Sequence, residues 1–190
     1  MTRRTRSLAM RCALLVAAAS GCASSRTYHD RNMDFGSVKT VAVLPLQNLS
    51  KEPSAAEQVR DTLFSALLAS GGVYAVPPGE VSRAVARVGM ATPWAPTVEE
   101  ATRLGAMLKV DALITGVVRE FGEVRGTGGS APVVTVSAQL IETSSGKVVW
   151  SGSTSRGGLT LGDRLLGTGG RPTNGVTEDA VHDLLLQLFQ

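Results

Sequence analysis

The chain has 190 residues, 19 Lys+Arg against 16 Asp+Glu, and a formal charge of +3. The basicity belongs to its start: residues 1–21 hold four arginines and no acid, so the remainder carries 15 basic and 16 acidic side chains and a charge of −1. A near-neutral body rich in Ala, Val, Leu and Gly excludes nucleic-acid binding by charge, and it favours one compact α/β domain over a disordered or disulfide-stapled one.

Arginines at 3, 4, 6 and 11, an apolar run from Cys12 to Ala19, the small residues Ser20 and Gly21, and then Cys22 form the pattern of an export signal. The run is too short for a bilayer, which needs about 20 apolar residues. Ala19-Ser20-Gly21-Cys22 resembles a bacterial lipobox, which implies acylation of the Cys22 thiol and cleavage before it. Ala19 stands where lipoboxes favour leucine, and an ordinary secretory signal cut before Ser20 is the competing reading. Lipidation also accounts for a single cysteine in the mature chain, which has no partner for an internal disulfide. Residues 22–36 read as a polar tether between lipid and domain, with His29 solvated in it, and 37–190 read as the domain.

Val38–Leu46 is a near-continuous apolar run, expected to be a central strand covered on both faces and ended by Pro45. Gln47–Pro53 reads as a loop. Ser54-Ala-Ala-Glu57 reads as a capping box opening a helix, with Val59, Leu63 and Leu67 inward and Gly71-Gly72 as its stop. Val73–Val76 is a short strand. A helix from about Gly79 to Val88 follows Pro77-Pro78, then a loop carrying Trp94 between Pro93 and Pro96. Thr97-Val-Glu-Glu100 is a second capping box, opening a helix to about Leu108 with Ala101 and Leu104 inward.

Ala112–Val124 reads as a strand and Gly126–Ala131 as a glycine-rich turn. Val133–Glu142 alternates between Val134, Val136, Ala138, Leu140 and Thr135, Ser137, Gln139. Thr143–Lys147 is a tight loop in which Gly146 supplies a positive φ, and Val148–Ser155 returns, giving a β-hairpin near 133–155. Residues 156–175 form a glycine-rich loop, and a last helix runs from about Thr177 to Phe189 with Val181, Leu184, Leu185 and Leu188 as its stripe. The expectation is a single α/β domain: a mixed sheet with helices packed on it, its first strand pair parallel, closed by a C-terminal helix.

No constellation for catalysis is legible. His182 beside Asp183 and near Asp179 reads as a helix-face histidine. Ser145-Gly146-Lys147 lacks the remaining glycine and hydroxyl of a phosphate loop. Two distant histidines and one lipid-bearing cysteine build no zinc site. The reading is of a non-enzyme without cofactor or metal. Trp94 is the candidate partner contact, set against a role as cover for a core edge, while Trp150 reads as core.

The order VAVLPLQNLS, YAVPPGEVSRAVARVG, the Val110-Asp111-Ala112 step, Ser145-Gly146-Lys147-Val148-Val149-Trp150 and AVHDLLLQLF is similar to the CsgG/LpoB-like superfamily of bacterial lipoproteins. Within it the chain most resembles the neisserial-type surface lipoprotein family, which has no settled activity. The resemblance implies an α/β domain facing the periplasm, anchored to the outer membrane, that works by contact with an envelope complex in secretion, transport or peptidoglycan synthesis. It also implies a second reading, a homo-oligomeric export assembly. A membrane-crossing hairpin takes about 9–11 alternating residues per strand. Gly126–Ala131 is too short for that and residues 157–175 do not alternate, which speaks against a pore. Ala23 is not the aspartate that retains enteric lipoproteins in the inner membrane, which by analogy favours the outer one.

Overall fold

The computed structural model describes residues 27–126, 129–157 and 172–189. Among them a seven-stranded mixed sheet runs in the order β1-β7-β6-β5-β2-β4, with β3 also on β5. The strands are β1 (Tyr28–His29), β2 (Thr40–Val43), β3 (Gln47–Asn48), β4 (Tyr74–Ala75), β5 (Ala112–Gly126), β6 (Gly129–Glu142) and β7 (Val148–Gly157). The helices are α1 (Ala55–Ser70), α2 (Pro78–Val88), α3 (Val98–Leu108) and α4 (Thr173–Leu188). This is the mixed α/β architecture, hairpin and closing helix that the residue pattern predicts.

β2 runs parallel to both β4 and β5. Its alternate side chains enter two different cores, as a doubly covered strand requires. Val41 and Val43 join α1 and α4 through Val59, Leu67, Val181 and Leu184. Ala42 and Leu44 join α2 and α3 through Val81, Val85, Leu104 and Leu108. The molecule is therefore three layers deep over β2, β4 and β5. Over β6 and β7 it has helix cover from α4 on the face that carries Val136, Leu140 and Trp150.

Two polar groups, one buried and one at the exposed sheet end, brace these layers. The Arg60 guanidinium on α1 is 9% exposed; its Nε donates to the Val43 carbonyl at 3.0 Å and its Nη2 to the Pro78 carbonyl at 3.2 Å. Burial pulls its pKa below the usual guanidinium value, against the pull of Asp61 and Glu57. Asp111 accepts from the Lys39 and Thr40 backbone N–H groups, both at 2.8 Å, and from the Thr40 hydroxyl at 2.9 Å. It thereby clamps the start of β2 to the start of β5. Burial opposes its charge, but those three hydrogen bonds and nearby Lys39 outweigh it and hold the carboxyl below the ordinary value.

Several expectations need correction. The stretch read as a tether is folded from Thr27 onward: β1 pairs with β7 at Tyr28↔Ser151 and His29↔Trp150, and Met33 and Phe35 pack on the core. His29 is half-buried, edge-on to Phe35 at 5.5 Å between centroids, because β1 pairing turns it toward Trp150 rather than toward water. Ser54 makes no capping bond. It takes helical angles, and its hydroxyl donates to Glu52 Oε1 at 2.7 Å while the Gln58 amide donates to Ser54 Oγ at 2.7 Å. The Thr97–Glu100 box forms as read. Gln47–Asn48, read as loop, pairs with Val117–Val118. Pairing of β5 with β6 continues to Gly126↔Gly129, so the hairpin arms outrun the turn read at 126–131. α4 begins at Thr173, four residues early, behind Pro172, whose fixed φ suits a helix entry. Residues 158–171, most of the glycine-rich loop, lie outside the described residues.

Candidate functional site: an open polar sheet face under Trp94

The alternation in β6 and β7 sorts side chains by chemistry. One face carries Val134, Val136, Ala138, Leu140 and Trp150 into the α1/α4 core. The other carries hydroxyls and an amide in cross-strand rows, Thr115–Gln139–Ser151 and Val117–Ser137–Ser153. Trp150 fixes which face is which. It is 2% exposed, its indole N–H donates to the Gln187 carbonyl of α4 at 3.2 Å, and its ring lies over Gly152, where an added Cβ would stand 2.6 Å from it.

The polar face has a roof at one edge. The loop between α2 and α3 closes on itself through the Ala95 N–H donating to the Thr92 carbonyl at 3.0 Å, with Pro93 and Pro96 limiting its freedom. The Thr115 hydroxyl, 2% exposed, donates to the Trp94 carbonyl at 2.6 Å and so pins this loop to β5. Trp94, half-buried, and Arg119 then line a cleft of about 300 Å³ with Ser137, Gln139, Ser151 and Ser153. Arg119 lies at the irregularity between Val118 and Glu120, where β5 slips against β6, and its Nε is 3.4 Å from Ser137 Oγ. The cleft thus offers one cation, an indole and a hydroxyl/amide floor, which suits recognition by hydrogen bonding.

The remaining candidates fall elsewhere. His182 is exposed beside a groove with Asp61, Thr62 and Glu178, whereas Asp183 turns to β7 and takes both Nε and Nη2 of Arg156, with Thr154 Oγ1 at 3.1 Å. The Arg156 hydrogen bond holds the Asp183 carboxyl below its ordinary value, with a smaller pull from nearby His182, so this acid is first an α4–β7 strut. Ser145-Gly146-Lys147 is the β6–β7 turn, with Gly146 at φ 67°. Among the described residues no group of three or more His, Cys, Asp or Glu stands ready to hold a metal ion, and no helix is long and apolar enough to cross a membrane. Cys22 lies outside the described residues. Sequence reasoning missed Thr115 and Arg119; the alternating hydroxyls were visible, but which face the helices leave open was not.

The fold recurs in solved structures. PelC, a dodecamer from Paraburkholderia phytofirmans, matches with a TM-score of 0.59 at 20% identity over 87% of this chain and 96% of that one. Lipoprotein GNA1162 from Neisseria meningitidis matches with 0.57 at 21% identity over 80% and 98%. The hypothetical protein CT253 from Chlamydia trachomatis matches with 0.54 at 12% identity over 80% and 95%. No match is found among curated proteins. The family model described as "Putative lipoprotein GNA1162-like" matches residues 32–162, which take in β2 to β7, and the chain belongs to that lipoprotein family.

Proposed function

We propose that the protein is a lipid-anchored accessory lipoprotein of a cell-envelope complex, held at the outer membrane through acylated Cys22 and acting by binding on its periplasmic side. The observation that carries this reading is the open polar face under Trp94: a sheet surface with a pinned loop, an indole and a cation. Confinement to a membrane raises the effective concentration of such a face for a partner in the same envelope. Membership of a lipoprotein family supports the anchor. Trp94 is the contact assigned to the partner.

The test is palmitate labelling and membrane fractionation of the wild type and Cys22→Ser, followed by crosslinking from the membrane form with a photoreactive residue at position 94. Label and sedimentation lost in Cys22→Ser, with a crosslinked envelope protein in the wild type, are the expected results. A wild type that takes no label and stays soluble refutes the anchor. A second reading, a ring of identical subunits, is favoured by the dodecameric state of PelC. Under it, light scattering of the detergent-extracted protein gives a multiple of the monomer mass and the position-94 crosslinks join copies of this chain.

A further inference from the structure

The body of the chain is near neutral, but its two helix layers differ in charge. On α1 and α4 the acids are Glu57, Asp61, Glu178, Asp179 and Asp183. The one Lys or Arg on these helices is Arg60, and it turns inward to the Val43 and Pro78 carbonyls. Asp183 is answered by Arg156 of β7. Glu57, Asp61 and Glu178 are exposed, so the outer surface of this layer is acidic. Between the two helices runs an open groove of about 560 Å³. Asp61 stands on one side of it, Glu178 and His182 on the other, and the small side chains of Thr62, Ala66 and Ala69 line it between them. Small side chains at a contact let another helix come close.

The layer on the other side of the sheet has the opposite character. Opposite their buried faces, α2 and α3 expose Arg83, Arg87 and Arg103, with the small side chains of Ala86 and Ala106 beside them. The acids of these helices, Glu80, Glu99 and Glu100, sit in the first turns, where carboxylates favour the helix dipole, and Glu100 is bound to the Thr97 N–H in the capping box. Each layer also exposes two large apolar side chains, Leu68 and Leu186 on α1 and α4, Val98 and Met107 on α3. Among the described residues Arg156–Asp183 is the one salt bridge, so Asp61 and Glu178 on one layer and Arg83, Arg87 and Arg103 on the other stand without one there.

The geometry points to head-to-tail association between copies of this chain, in which the acidic α1/α4 groove of one copy receives the basic stripe Arg83, Ala86 and Arg87 of α2 from a second copy. Like charges exclude the two-fold alternatives. Two α1/α4 surfaces brought together set Asp61 and Glu178 against themselves, and two α2/α3 surfaces set arginine against arginine. The unlike pair places Ala86 over Ala66 and Ala69, with Arg83 and Arg87, one helical turn apart, set for the carboxylates on the two sides of the groove. The two layers face opposite ways because alternate side chains of β2 enter the two cores. Each copy that receives a stripe therefore still presents its own, and association continues into a ring or a chain. This supplies an interface for the ring of identical subunits; it rests on that reading and is independent of the anchor at Cys22.

The experiment is light scattering on the full-length protein, in mild detergent, as a function of concentration. It compares the wild type, the variant Asp61→Arg/Glu178→Arg, the variant Arg83→Glu/Arg87→Glu, and an equimolar mixture of the two variants. All four positions are exposed, and circular dichroism with urea midpoints checks that each variant folds. The first variant has two basic layers and the second two acidic ones, so each repels its own kind while the two complement each other. The expected result is a wild type at two or more times the monomer mass, with its mass falling as salt screens the pairs. Each variant alone then runs as a monomer, and the mixture returns to the wild-type mass. A wild type that stays at monomer mass overturns the interface and the ring reading together. A wild-type multimer that either variant leaves intact overturns this interface and leaves a ring held elsewhere. Folded variants that both dissociate and do not recover on mixing overturn the head-to-tail pairing.

Discussion

Replacing Asp111 by Ala tests the clamp between β2 and β5 most sharply. The carboxylate accepts two backbone N–H groups and a hydroxyl within 2.9 Å, and the substitution returns all three donors to water or leaves them unpaired. Hydrogen bonds to a charged acceptor contribute about 1.5–3 kcal/mol each when buried. Asp111 is on the exposed side of the sheet end, so solvent screening cuts the total to about 1–2 kcal/mol. For a domain of this size that is a fall in Tm of about 3–6 °C. Because the folded carboxyl lies below its ordinary value, its contribution is fully present above the unfolded pKa of about 3.9 and fades as pH falls through the lower folded value. Urea unfolding of wild type and Asp111→Ala followed by Trp fluorescence at pH 7 and again below pH 4 reads both effects. A gap at pH 7 that closes in acid is expected. Equal midpoints at pH 7 refute the clamp and with it the structural role of the Val110-Asp111-Ala112 step.

Gly152→Ala places a methyl 2.6 Å from the Trp150 ring and 2.8 Å from Gln187 Oε1, so the buried ring and the Gln187 side chain must give way; a loss of about 1–3 kcal/mol by urea titration is expected, and an unchanged midpoint contradicts the packing. Thr115→Val removes the donor to the Trp94 carbonyl while keeping the shape, at about 1 kcal/mol, and its signature is faster proteolysis within the 91–96 loop with the rest of the domain intact. Asp183→Asn weakens the bond to exposed Arg156 by about 1 kcal/mol or less. Since the Asp183 carboxyl also titrates below its ordinary value, that loss too is seen at neutral pH and vanishes in acid; a loss that grows as pH falls contradicts the strut.

The parts of the fold that one face of one element decides were legible in the sequence. Strand β6 announced itself by alternation, the end of α2 by Gly89, and α3 by Thr97 and Glu100, because each signal is local. What the sequence hid depends on partners far along the chain. Tyr28 and His29 form a strand only because β7 offers an edge 121 or more residues later. Ser54 gives up its cap because Glu52 and Gln58 compete for the hydroxyl. The same holds for the site. Trp94 was singled out by its prolines, but the cleft exists because the α2/α3 core takes in β6 only at Ile141, and because a slip in β5 brings Arg119 beside Ser137.

The central claim is that a sulfur at Cys22 tethers this domain to lipid. Mass spectrometry of the N-terminal peptide of the mature protein, taken from the membrane fraction, tests it most directly. The account predicts a peptide that begins at Cys22 and carries the mass of a diacylglyceryl group. An unmodified peptide beginning at Ser20, recovered from the soluble fraction, contradicts it.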